Sequence, residues 1–122
     1  MINMNISIDG FWTTKAGDYD PQTSIRTPVS DNRFFYRINH DSTVRQKVIV
    51  EILVDSRQVG LVHDWLSKDG KETFFFDVPS ELRKPGAHTL VFRLYSPESE
   101  AADAKQGPMI YESPHFSLEY LP

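Results

Sequence analysis

Between Val48 and Asp55 the chain runs Val-Ile-Val-Glu-Ile-Leu-Val-Asp. Side chains two residues apart in a strand share a face, so Val48, Val50, Ile52 and Val54 form one apolar row and Ile49 and Leu53 a second. Only Glu51 breaks the second row. A segment apolar on both faces belongs in the middle of a sheet. The same period recurs along the chain. Ile2, Met4, Ile6 and Ile8 alternate with Asn3, Asn5, Ser7 and Asp9. Phe34, Tyr36 and Ile38 share a side within Phe34–His40, and His88, Leu90, Phe92 and Leu94 share one within Ala87–Tyr95. Phe116, Leu118 and Tyr120 repeat the pattern at the end.

Turn signals separate these runs. Asp9-Gly10 interrupts the first, and Phe11-Trp12-Thr13 resumes it after a kink or bulge. Asp41-Ser42 and Asp55-Ser56-Arg57 mark turns, the latter leading into Gln58–Leu66. Ser67-Lys68-Asp69-Gly70-Lys71 reads as a hairpin loop leading to Glu72–Val78. Pro79-Ser80 and Pro85-Gly86 bracket a crossing segment. Thr14–Asn32 is polar and broken by Gly17, Pro21 and Pro28, and it reads as a long loop with a short edge strand near Ile25. Such a loop either carries function or is pinned against a sheet. One short surface helix is expected over residues 97–106, with Ser96 as N-cap, Pro97 in the first turn and Gly107 at the stop. Strands at this spacing, with helix nearly absent, predict an all-β fold. The expected form is a two-sheet antiparallel sandwich of about seven or eight strands, immunoglobulin-like or jelly roll.

The chain has 122 residues, which suits a single domain over 1–122. It has no cysteine, which excludes disulfides, thiolate zinc sites and cysteine nucleophiles and favours a reducing compartment. No basic start with an apolar run is present, so a cytoplasmic location is expected if Met1 is the natural start. The net charge is −4 and the basic residues are scattered, which argues against nucleic acid and anionic membranes as partners.

The stretch from Leu82 through Pro85-Gly86 to His88, Leu90 and Phe92 resembles the corner segment of immunoglobulin-like and fibronectin-like sandwiches. In those families a tyrosine hydroxyl bonds back to the backbone, and His88 stands where that tyrosine would be. Val54-Asp55 with Gln58-Val59-Gly60 is similar to the middle of such modules, including carbohydrate-binding accessory domains. The resemblance implies a fold and no particular activity.

No catalytic residue is expected. His40, His63, His88 and His115 show no metal-binding spacing, and His63 and Asp64 should point to opposite faces of their strand. There is no Gly-x-Ser-x-Gly elbow and no phosphate-binding glycine loop. No cofactor or resident metal is expected. Asp18, Asp20 and Asp31 have the oxygen chemistry calcium takes, but they read better as solvated loop acids. The expected function is non-catalytic recognition of another protein, with carbohydrate binding as the alternative. The candidate contact residues are Trp12, Tyr19, Trp65, Tyr95 and Tyr111, with Glu98, Glu100 and Asp103 of an acidic segment. Phe35, Arg37 and Asn39 share a face of their strand, which is read as an edge open to another chain or to a homodimer partner.

Overall fold

A computed structural model describes residues 5–16, 18–68, 70, 72–99 and 104–122. Ile2 and Met4 of the first expected strand therefore lie outside the described residues. Eleven strands follow in order: β1 (Ile6–Ser7), β2 (Phe11–Thr13), β3 (Ser24–Pro28), β4 (Arg33–Arg37), β5 (Asn39–His40), β6 (Gln46–Val54), β7 (Arg57–Leu66), β8 (Thr73–Asp77), β9 (Gly86–Pro97), β10 (Gln106–Glu112) and β11 (Phe116–Leu121). The only helical segments among the described residues are two 3₁₀ turns, Thr14–Ala16 and Ser80–Leu82.

The larger sheet runs β3-β11-β9-β6-β7, and β10 shares the flank of β9 with β11. The run opening at Val48 lies within β6, which is flanked on both sides as its two apolar faces require. The smaller sheet is β2-β4-β8, and β1 pairs with β5 beyond it. Phe11 lies opposite Tyr36, but Ile6 lies opposite His40, so the first strand spends one extra residue between the two pairings. This is the bulge expected at Asp9-Gly10. Gly10 is required there because a Cβ would sit 2.5 Å from the carbonyl oxygen of Gln22. That approach lets Phe11 and Gln22 exchange both backbone hydrogen bonds, at 3.0 and 2.9 Å.

The apolar rows of the two sheets meet in one core. Tyr36 and Phe76 from the smaller sheet pack on Phe92 of the larger at ring-centroid distances of 4.8 and 5.8 Å. Phe11 reaches Phe116 at 6.1 Å. Val48, Val50, Ile52, Val54, Leu90, Leu94 and Leu118 complete this core.

Several expectations need correction. The larger sheet is mixed, because β3 runs parallel to β11. Its parallel pairing pins the long loop, as do Tyr120 Oη donating to the Asp31 carbonyl at 2.8 Å and Arg83 Nη1 donating to the Val29 carbonyl at 2.8 Å. β7 and β8 do not pair as the hairpin expected around residues 67–71: β7 pairs with β6 and β8 with β4, so the chain passes from one sheet to the other between them, and Asp69 and Lys71 of the expected loop lie outside the described residues. The tight hairpin lies at Asp55-Ser56, where Val54 pairs with Arg57. Asp55 and Ser56 have φ of 51° and 66°, the double left-handed turn that matches strand twist. The helix over 97–106 is not found at either end. Pro97 ends β9, Gln106 begins β10, and the two are paired. The Glu98 N–H donates to the Lys105 carbonyl at 2.9 Å, so long-range strand pairing overrides the capping signal. The strand bearing Phe35 and Arg37 is no edge: β4 lies between β2 and β8, and Asn39 belongs to β5.

Candidate functional site

Pairing in the smaller sheet decides which side chains turn away from the core. Phe11, Tyr36 and Phe74 align on the inner face, as do Thr13, Phe34 and Phe76. The residues between them must face out. Trp12 therefore lies opposite Phe35, and Phe35 opposite Phe75, forming an aromatic row across three strands. Trp12 and Phe35 are 6.3 Å apart with ring planes 31° from parallel.

The row is buried at one end and open at the other. Trp12 is only 3% exposed because Tyr19 stands edge-on to it, with centroids 5.2 Å apart. The Arg37 guanidinium caps Tyr19 with its carbon 4.0 Å from the ring centroid. Asn39 Nδ2 donates to Asp9 at 3.0 Å and to the Tyr19 hydroxyl at 3.4 Å, giving this end a polar rim. At the other end Phe75 is 52% exposed. The Arg33 guanidinium lies 4.2 Å over its ring. Arg33 also donates to both oxygens of Asp77, at 2.9 and 3.1 Å. This hydrogen bond pushes the Arg33 guanidinium above its ordinary range and pulls the Asp77 carboxyl below its own, with burial opposing in both cases. Each cation–ring contact at such a surface contributes on the order of 0.5–1 kcal/mol and fixes the guanidinium in place.

Of the aromatic and acidic contact residues singled out from sequence, only Trp12 and Tyr19 join this face, together with Phe35 and Arg37 of the strand read as an edge. Trp65 lies on the outer side of the larger sheet under Arg45, whose guanidinium carbon is 4.4 Å from its ring. Tyr95 donates its hydroxyl to Glu51 at 3.0 Å. Burial and that carboxylate both push the Tyr95 phenol upward. Glu51, the interruption in the run from Val48, thus has a partner on the neighbouring strand. Tyr111 ties β10 to the segment between β1 and β2, because its hydroxyl accepts from the Ile8 N–H at 3.2 Å and donates to the Ile8 carbonyl at 3.3 Å. Glu98 engages through its backbone, while Glu100 and Asp103 lie outside the described residues.

The three loop aspartates do not converge. Asp20 accepts from Gln22 at 2.9 Å, and Asp31 accepts from the Thr27 hydroxyl with Lys15 at 3.7 Å. Asp18 joins neither, and among the described residues no three His, Asp or Glu side chains are grouped to hold a metal ion. The histidines are separated. His40 accepts from the Ser42 N–H at 3.2 Å, and His63 donates to the Ala104 carbonyl at 3.0 Å. His63 and Asp64 lie opposite Ile49 and Val48, hence on opposite faces. His115 lines a recess of about 290 Å³ with Leu53, Ser56, Thr89, Val91 and Arg93 and has no carboxylate beside it there. His88 lies opposite Leu118 and is held at both nitrogens, by the Lys84 carbonyl at 2.7 Å and Asp55 at 2.5 Å. The Lys84 bond is the link back to the backbone that the resemblance implied for a corner tyrosine.

Phe75, Arg33 and the position of Phe35 in the row were missed from sequence. The signal was present in Phe74-Phe75-Phe76: three consecutive rings cannot all face one core in a strand. Among the described residues no helix is long and apolar enough to cross a membrane. Set against family models, curated proteins and solved structures, the chain matches none.

Proposed function

We propose that this chain is a non-catalytic recognition module for another protein, with the outer face of β2-β4-β8 as its contact surface. In this reading the two principal sheets form a sandwich of the immunoglobulin-like or jelly-roll kind. The observation that carries the proposal is Phe75, half exposed at the open end of an aromatic row and flanked by a guanidinium. Aromatic and arginine side chains held rigid beside one another are the usual anchors of protein interfaces. Phe75 is borne on a strand and lies under Arg33, so little ordering entropy is lost on binding. The partner that fits offers an apolar pocket for Phe75 and acceptors for Arg37. No bond-making step is assigned to the chain.

The carbohydrate alternative draws on the same row, since sugars stack on ring faces. It is the weaker reading because Trp12 is only 3% exposed against Tyr19 and Arg45 lies over the ring of Trp65.

The test compares capture from a lysate of the source organism by the wild type, by Phe75→Ala and by Val44→Ala. Val44 is an equally exposed apolar residue elsewhere on the surface. Proteins held by the first and third should be lost about thirtyfold on Phe75→Ala, the weakening that removal of an interface anchor produces. Undiminished capture by Phe75→Ala would remove the proposed surface. Glycan-array binding abolished by the same substitution would transfer the site to sugars.

A further inference from the structure

The outermost strand of the larger sheet has an unusual edge. β7 is ten residues long, and among the described residues it pairs with β6 alone. Long edge strands are normally guarded by Lys, Pro, bulges or inward charges; β7 carries no Lys or Pro, and has one register shift and the inward Asp64. Leu61 and Val62, at its middle, are 45% and 38% exposed. They point to opposite faces, so the edge is apolar on both sides of the sheet.

The order of side chains along this edge is complementary to itself. β6 provides the ruler: Val54 lies opposite Arg57, Glu51 opposite Leu61, and Val48 opposite Asp64. Arg57 and Asp64 are thus three β6 positions to either side of Leu61, despite the register shift between Ile52 and Leu53. Both lie opposite core residues, Val54 and Val48, and so both project toward the same face. Two copies of an antiparallel edge can be related only by a two-fold axis perpendicular to the sheet, and that axis preserves faces. With the axis at Leu61, Arg57 of each copy falls opposite Asp64 of the other. Val62 falls opposite Gly60, where no side chain competes for space, and Gln58 falls opposite His63.

We infer that β7 is a homodimerisation edge, pairing antiparallel with β7 of a second copy about Leu61. A lone inward-facing carboxylate would ordinarily guard an edge. Here the guanidinium of the second copy meets it, so Asp64 selects this register instead of blocking all of them. Within one chain Asp64 is partly buried beside Glu72, and both effects raise its carboxyl above the ordinary range. Arg57 of a second copy would relieve that. The other registers that preserve faces leave Asp64 facing Gly60 or Val62, with no cation opposite, so the pairing is specific as well as favourable. One strand pair buries less area than permanent dimers do, so association is weak and concentration-dependent.

Sedimentation velocity over about 10 μM to 1 mM tests this, the range in which a contact of that strength becomes populated. The wild type should pass from monomer to dimer. Leu61→Lys, at an exposed position, should remain monomeric throughout, as should Arg57→Asp, which sets two carboxylates against each other. The double variant Arg57→Asp/Asp64→Arg should restore the dimer. A wild type that stays monomeric at the highest concentration would overturn the inference. So would a dimer indifferent to Leu61→Lys and Arg57→Asp, because it would use another surface.

Discussion

A polar atom carried into a packed core by an inward-facing residue needs a hydrogen-bond partner there. Phe34, Tyr36, Leu90, Phe92, Leu94, Phe116 and Leu118 all enter the core on the parity the alternation gave them. What parity cannot reveal is whether a polar atom on an inward residue finds a partner. The Tyr36 hydroxyl finds none: it is buried without a hydrogen bond among the described residues. Burial, with a smaller push from the charge of Asp64, raises its phenol far above the ordinary value. An unpaired buried hydroxyl costs on the order of 1–3 kcal/mol. Tyr36→Phe keeps the ring contacts with Phe92 and Phe74 and removes that cost. Urea unfolding should therefore show the variant more stable by about 1 kcal/mol. A loss of stability of that size would mean that the hydroxyl is bonded to a water held in the core.

Element identity was legible for most strands, but their connections were not. Asp-Gly at 69–70 has the stronger hairpin chemistry, yet the hairpin forms at Asp55-Ser56. The difference is a second role for Asp55. Its carboxylate accepts from the Thr89 N–H at 2.9 Å and from His88, so the turn is fastened to the start of β9. Sequence spacing does not display a bond between residues 33 apart. Both partners of His88 are acceptors, so the ring satisfies both only as the imidazolium. Burial of the ring lowers its pKa. The Lys84 carbonyl and the Asp55 carboxylate together outweigh that, and the net shift is upward. Besides Asp55, the phenol of Tyr120 on β11 faces the ring, at 5.7 Å between centroids. A group raised in the folded state contributes stability in full below its unfolded value, near 6.5, and loses it as pH rises through the folded value. The wild type should exceed His88→Asn most at about pH 5.5, and the gap should shrink in alkaline solution. Chemical denaturation of the pair across that range measures it, and two parallel stability curves would show that the clamp is uncharged.

At the scale of the whole molecule, composition and period gave the all-β class, while the division into sheets is set by long-range pairing that no local pattern displays. No local signal distinguishes a chain that returns in the same sheet from one that crosses, and the chain changes sheet between β7 and β8. The candidate face had the same limit. Trp12, Phe35 and Phe75 are far apart in sequence and become a row only through the register of β2, β4 and β8. The two phenylalanines Phe75 and Phe92 therefore separate folding from recognition. Phe92 touches Tyr36 and Phe76 across the core and Phe116 in its own sheet, and it is fully buried. Its replacement by alanine empties the space between the sheets and should cost about 3–5 kcal/mol. Phe75 loses one cation contact and little burial, so Phe75→Ala should cost less than about 1 kcal/mol. Thermal or urea unfolding of the two variants checks the split. Near-equal losses would place Phe75 in the structural framework and leave the proposed contact face without its anchor.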